Sequence, residues 1–157
     1  MLAAGLIVDS RPLRVFIVED HAEFAELLLW QLPRLGAVRV VGCVSSLRDA
    51  LDGVCRCPVD LLLVDLHLEQ ASGLQVICCA RQMSACPPAI LAMTSAWSVA
   101  IEHAALAAGA DHCFDKAELP RLFACVEDHA RACSRVWRIT RAPVRADQCG
   151  SRRSVAL

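Results

Sequence analysis

The 157-residue sequence predicts an α/β domain of doubly wound (βα)5 architecture. Three observations carry that expectation. Five short apolar runs recur along the chain without alternating polar positions, as strands buried on both faces do. Between them lie segments whose apolar residues recur at helical spacing, and Gly or Pro punctuates most of the junctions. Parallel strands joined by right-handed helical crossovers place helices on both faces of a single sheet.

The first run, Val15-Phe16-Ile17-Val18, is β-branched and aromatic and ends in Glu19-Asp20. Residues 22–35 follow as a helix, with Phe24, Leu27, Leu28 and Leu32 at helical spacing and Gly36 as the stop. Residues 38–44 read as the second strand. Ser45-Ser46 then offers an N-cap to a helix carrying Leu47, Ala50, Leu51 and Val54. Pro58 breaks the chain before the third strand, Leu61-Leu62-Leu63-Val64, which ends in Asp65. Ser72-Gly73 opens a helix with Leu74, Val76, Ile77 and Ala80, and Pro87-Pro88 punctuates again. The fourth strand, Ile90-Leu91-Ala92-Met93, runs into Thr94, and a helix over residues 98–108 stops at Gly109. His112-Cys113-Phe114 is a short fifth strand reaching Asp115-Lys116. The last helix carries Leu119, Leu122, Phe123, Val126, Ala130, Cys133 and Trp137 in one long stripe.

Composition narrows the function classes. Apolar residues make up 56% of the chain, above the roughly 45–50% usual in soluble domains, which excludes a disordered chain. Sixteen basic residues nearly balance 17 acidic ones, so no global basic field marks a nucleic-acid binder. Every cation but one is Arg; the single Lys is Lys116. Lys offers a compact ammonium on a flexible stem that Arg cannot replace. The ten cysteines contain no CxxC pair, which argues against structural zinc, and they read as core thiols in a reducing cytoplasm. Met1–Val8 is apolar but lacks a basic leader region and is broken by Gly5 and Asp9; residues 1–12 are expected to form a flexible extension. No apolar run approaches ~20 residues, so a membrane span is not expected.

In doubly wound sheets the chemistry gathers beyond the carboxyl ends of the strands. Those ends carry Glu19-Asp20, Asp65, Thr94 and Lys116. Three carboxylates and an ammonium from separate segments would converge on one crevice, and carboxylates that close repel by something like 1–4 kcal/mol per pair. A divalent cation would neutralise them, and all-oxygen ligation suits Mg²⁺. A carboxylate can also attack phosphorus to give an aspartyl phosphate, a step that needs a metal, an opposing cation and a hydroxyl donor. Taken singly, Glu19 reads equally as a solvated loop acid, while Asp65 and Thr94 could simply cap helices. Their joint placement at strand ends favours the chemical roles.

Phe16-Ile17-Val18-Glu19-Asp20-His21, Leu63-Val64-Asp65-Leu66-His67-Leu68, Met93-Thr94-Ser95 and Gly109-Ala110-Asp111 before Asp115-Lys116 occur in this order. In order and separation they resemble the response-regulator receiver domains, over residues 13–137. The resemblance implies a flavodoxin-like sheet of strand order 2-1-3-4-5. It also implies that Asp65 accepts a phosphoryl group from a sensor histidine kinase or a histidine phosphotransfer protein. Mg²⁺ would be held by Glu19, Asp20, Asp65 and the backbone carbonyl of His67. Thr94 and Lys116 would each meet a phosphoryl oxygen, and Thr94 with position 113 would form the switch. Output would pass to a downstream protein or a second copy through the face of helix four, strand five and helix five. The chain is then a cytoplasmic signalling module rather than an enzyme in its own right.

Several positions depart from the family pattern. Cys113 stands where Tyr or Phe is usual, and a thiol cannot reproduce the in/out movement of a ring; Phe114 should face the other side of the strand. Ala117 and Glu69 replace the usual prolines after the Lys and after the acceptor, and Ala96 offers no polar group two residues beyond Thr94. His67 could lie near the phosphoryl group, although polar rim positions are the plainer expectation for His67 and His21. Trp97 and Trp137 read as packing or interface groups. Residues 138–157 read as a disordered basic tail, and direct DNA binding is not expected from it. Cys113 motivates the alternative, a phosphorylation-independent interaction module of the same fold. A flavin or nucleotide binder is set aside, since no Gly-rich phosphate loop follows strand one.

Overall fold

The fold is described from a computed structural model over residues 11–83 and 86–140, with side-chain detail as far as residue 133. Residues 1–10, the tail beyond residue 140, Cys149 and the Trp137 side chain, all subjects of expectations above, lie outside this description. Five parallel strands form one sheet: β1 (Leu13–Val18), β2 (Val38–Val44), β3 (Leu61–Asp65), β4 (Ala89–Thr94) and β5 (His112–Asp115). Their order is β2-β1-β3-β4-β5. The alternation of elements predicts the doubly wound sheet, and this is the strand order that the resemblance implies.

Helices α1 (Ala22–Gln31) and α5 (Leu119–Thr140) flank one face of the sheet, and α2 (Leu47–Arg56), α3 (Gly73–Met83) and α4 (Val99–Ala108) flank the other. Successive strand residues alternate between the two cores. Ile17, Leu63 and Met93 pack with Leu28 and Leu122, while Val18, Val64 and Ala92 pack with Ile77 and Ala105. Cys113 and Phe114 fall on opposite sides, as their spacing requires.

Caps fix the helix starts. Ser46 accepts from the Asp49 amide, Ser98 accepts from the Ile101 amide, and Gly109 ends α4 in the left-handed region at φ 112°. Three expectations need correction. The helix expected over residues 22–35 ends at Gln31 and tightens into a 3₁₀ turn, Leu32–Leu35, because Pro33 has no N–H to continue the α-helical ladder. The last helix runs to Thr140 rather than 137, since no breaker occurs before Pro143. The cysteines are mostly not core thiols: of those described only Cys113 is buried, and Cys55, Cys78 and Cys86 are exposed. Apolar neighbours along a helix do not all share its inner face. A short antiparallel hairpin, His67–Leu68 with Ala71–Ser72, also follows β3, and no alternation in so short a segment announces it.

Two contacts hold the strands in place away from the strand ends that carry the acidic residues. Phe16 fills a slot between Gly42 on β2 and Gly53 on α2; added Cβ atoms would come within 2.3 Å and 2.2 Å of its ring. Asp60, just before β3, accepts from the Arg14 amide and Nε and from Nη2 of both Arg14 and Arg11, each at 2.9 Å. Burial works against its charge, but the hydrogen bonds from Arg14 and then Arg11 prevail and hold the carboxyl down at about 2.

Two outcomes follow from these contacts. Gly53→Ala, ordinarily favourable within a helix, should here cost about 1–3 kcal/mol by overpacking against a ring that Gly42 prevents from retreating. Adding Phe16→Leu should recover part of that loss in urea titrations. A depressed carboxyl contributes stability above its unfolded value and loses it as pH falls. Parent stability should therefore decline as pH drops from about 4 towards 2, and Asp60→Asn should flatten that slope and cost on the order of 1–2 kcal/mol near neutrality.

Candidate functional site

Asp20, Asp65 and Lys116 line one cleft of about 1370 Å³, with Glu19 and Thr94 buried against the lining residues Lys116 and His67. Glu19 leaves β1 with its amide donated to the Val44 carbonyl at 2.9 Å, and its side chain turns inward, 3% exposed. The His21 amide donates to Glu19 Oε1 at 3.1 Å, and the His21 ring caps α1 by accepting from the Phe24 amide. Asp65 ends β3 and is also 3% exposed. Its Oδ1 accepts from the His67 amide at 3.1 Å and its Oδ2 from Lys116 Nζ at 2.8 Å. Gly73 sets how closely α3 approaches: a Cβ there would lie 2.0 Å from the Asp65 carbonyl oxygen. No other residue type leaves α3 and the end of β3 where they are.

Lys116 enters from the end of β5, at the start of a 3₁₀ turn that Asp115 caps by accepting from the Ala117 amide. Its ammonium lies 2.8 Å from Asp65, hydrogen-bonds Glu19 Oε1 at 2.9 Å and sits 4.5 Å above the centre of the Phe24 ring. It is also 2.8 Å from Glu19 Oε2, but not in line for a hydrogen bond, so this buried oxygen has no hydrogen-bond partner among the described residues. Burial raises the Glu19 carboxyl above its ordinary value; Lys116 opposes the rise and the Asp65 charge adds to it.

Asp20 stands at the rim, where its Oδ2 accepts from the Glu69 amide at 2.5 Å. A proline at position 69 could not make that bond. Thr94, fully buried at the end of β4, accepts from the Ala96 amide at 3.1 Å and lies 3.3 Å from Nδ1 of His67. His67 is exposed, as expected of a rim residue, and its ring also reaches a site side chain. Its offset of two residues from Asp65 along an extended segment was the available signal. The Glu69 amide and the Phe24 ring carried none. Cys113 lies apart from the cleft, packed in the core beneath α4, where burial raises its thiol.

Glu19, Asp20 and Asp65 each offer an oxygen within 4.8 Å of the others. Three carboxylates face one ammonium, and one buried oxygen has the ion-pair contact with Lys116 but no hydrogen bond among the described residues, so the donor set suits a hard divalent cation. The same residues place an ammonium and a hydroxyl around one inward carboxylate.

The family model of the response regulator receiver domain matches residues 15–129. The chain belongs to that family. Two curated relatives are protein-glutamate methylesterase/protein-glutamine glutaminases. One, from Syntrophus aciditrophicus, is 34% identical over 54% of this chain, and one from Myxococcus xanthus is 30% identical over 63%. The matched segments span only 24% and 28% of those relatives. Among solved structures, the receiver domain of the response regulator NarL from Mycobacterium tuberculosis is 25% identical, with a TM-score of 0.68, over 80% of this chain and 98% of that one. A CheY-like receiver from Methanospirillum hungatei shares the fold at 20% identity and a TM-score of 0.69, over 80% and 98%. So does a Burkholderia pseudomallei response regulator, solved with a phosphorylated aspartic acid, a calcium ion and citrate, at 24% identity and 0.65, over 83% and 75%. No helix among the described residues of this receiver is long and apolar enough to cross a membrane.

The charge arrangement sets a pH signature. A buried acid whose value is raised on folding binds more protons folded than unfolded, so stability falls as pH rises above its ordinary value. Lys116→Met removes the group that opposes this rise. Its denaturation midpoint should fall more steeply than the parent's as pH rises above about 5, and adding Glu19→Gln should remove the excess slope.

Proposed function

We propose that this receiver is the phosphoacceptor of a two-component phosphorelay, with Asp65 taking a phosphoryl group from the histidine of a sensor kinase or phosphotransfer protein. The observation that carries this reading is the pairing of one ammonium, Lys116, with the inward carboxylates of Asp65 and Glu19 at the carboxyl end of the sheet. The P–N bond of the donor breaks as a P–O bond to Asp65 forms. Lys116 follows the transferred group with its flexible stem and pairs with one phosphoryl oxygen, and the Thr94 hydroxyl donates to another. Glu19, Asp20, Asp65 and the His67 carbonyl would hold Mg²⁺, which when bound neutralises charge on the phosphoryl oxygens. The phosphorylated aspartic acid of the Burkholderia relative supports this chemistry by analogy.

Output would leave through α4, β5 and α5, to a downstream protein or a second copy. α4 supports that reading, because Trp97, Val99 and Leu106 on or beside it are 41–57% exposed. A second reading, a module that uses this face without phosphorylation, is favoured by one observation: the buried residue under α4 is the Cys113 thiol, where a mobile ring is usual.

Acetyl phosphate with Mg²⁺ decides between the two. Intact mass should show one added phosphoryl group on the parent and none on Asp65→Ala. Equal labelling of both proteins would remove Asp65 from the role. An unlabelled parent, with acetyl phosphate and with phosphoramidate, would select the phosphorylation-independent module.

A further inference from the structure

We propose that His67 is a positioning residue that holds the Thr94 hydroxyl proton in the resting protein, in competition with the group Thr94 is to bind. This rests on the reading of Thr94 as a donor to a phosphoryl oxygen on Asp65.

A threonine hydroxyl has one proton to give and can accept at its lone pairs. The Ala96 amide already donates to Thr94 Oγ1 at 3.1 Å, and the remaining side-chain partner is His67 Nδ1 at 3.3 Å. Were Nδ1 to carry the proton, both neighbours would donate to Oγ1. The hydroxyl proton of a fully buried side chain would then lack an acceptor among the described residues, a costly arrangement. The tautomer that satisfies every atom has a bare Nδ1 accepting from Thr94, with the imidazole proton on Nε2.

The backbone that carries this exposed residue is fixed, and the ring's own contact is the one to Thr94. His67 pairs with Ser72 in the hairpin after β3, and its own amide is anchored on Asp65 Oδ1. The same hairpin holds Asp20 through the Glu69 amide. The resting hydroxyl is thus turned towards His67, and engaging a group on Asp65 means exchanging that bond. Removing the acceptor leaves the resting hydroxyl unsatisfied and so favours the engaged arrangement.

Beryllofluoride with Mg²⁺, the stand-in for a phosphoryl group on a carboxylate, tests this in the full chain by fluorine NMR titration. His67→Leu should tighten binding roughly fivefold, the worth of one hydrogen bond, and His67→Asn, whose Oδ1 can accept in place of Nδ1, should stay within about twofold of the parent. In the Thr94→Val background His67→Leu should change nothing, because the coupled partner is gone. An equal effect of His67→Leu in both backgrounds would overturn the proposal. Long-range proton–nitrogen NMR of the free protein gives an independent reading. Nδ1 should be unprotonated and should shift on Thr94→Val, whereas a protonated or indifferent Nδ1 overturns the assignment. Failure of every protein to bind beryllofluoride would count against the phosphoacceptor reading, while the imidazole spectrum would still decide the His67–Thr94 bond.

Discussion

The placement of one ammonium between two buried carboxylates is the constraint on which the rest of this receiver depends. Glu19 and Asp65 are almost wholly enclosed at adjacent strand ends, where uncompensated charges would cost several kcal/mol each. Lys116 reaches both at 2.8 Å from the far edge of the sheet. A guanidinium is broader and works as a planar fork, so a chain that uses Arg everywhere else has no equivalent substitute. The compensation is incomplete by count of charges alone: Asp20 adds a third carboxylate, and Glu19 Oε2 has the ion pair with Lys116 but no hydrogen bond among the described residues. The site is therefore poised for a further cation.

That pairing requires the sheet to be built in one order. β1 and β3 must be neighbours for Glu19 and Asp65 to share a partner, and β5 must close the same end for Lys116 to arrive. Right-handed crossovers provide this, with helices on both faces burying the unalternated strands. Close approaches do the fine positioning. Gly73 lets α3 start against the Asp65 carbonyl, and Gly42 with Gly53 lets Phe16 fix β1 against β2 and α2. At a distance from the cleft the Arg11–Asp60–Arg14 cluster ties β1 to the entry of β3, so the strand that carries Glu19 and the strand that carries Asp65 are held at both ends.

Much of this was legible in the residues, for identifiable reasons. Strands buried on both faces leave continuous apolar runs, and caps such as Ser46, Ser98 and Gly109 act locally, so element order and most boundaries were readable. The site side chains were readable because strand ends are the one place where a doubly wound sheet gathers polar groups. What escaped depends on backbone donors and tertiary contacts. An amide leaves no mark in composition, which hides the Glu69 bond to Asp20, and a 3₁₀ turn after Gln31 preserves the same apolar stripe as an α-helix. The exposure of Cys78 beside half-buried Cys79 likewise follows from which way α3 is rotated, a property of packing rather than of local sequence.

The principal side chains of the site already hold partners. Lys116 is shared by Asp65 and Glu19, Asp20 holds the Glu69 amide, and Thr94 holds His67. A group arriving on Asp65 would therefore exchange hydrogen bonds rather than create them from solvent. Exchanges between matched bonds leave small net differences, each about 1 kcal/mol, which is the condition for two arrangements to lie close enough in free energy to be shifted by one covalent event. Position 113 carries a buried thiol rather than a ring, packed in the core with Ala105 of α4. Between Thr94 and α4, the Ala96 amide donates to the Thr94 hydroxyl and the Ile101 amide to the Ser98 hydroxyl that caps the helix.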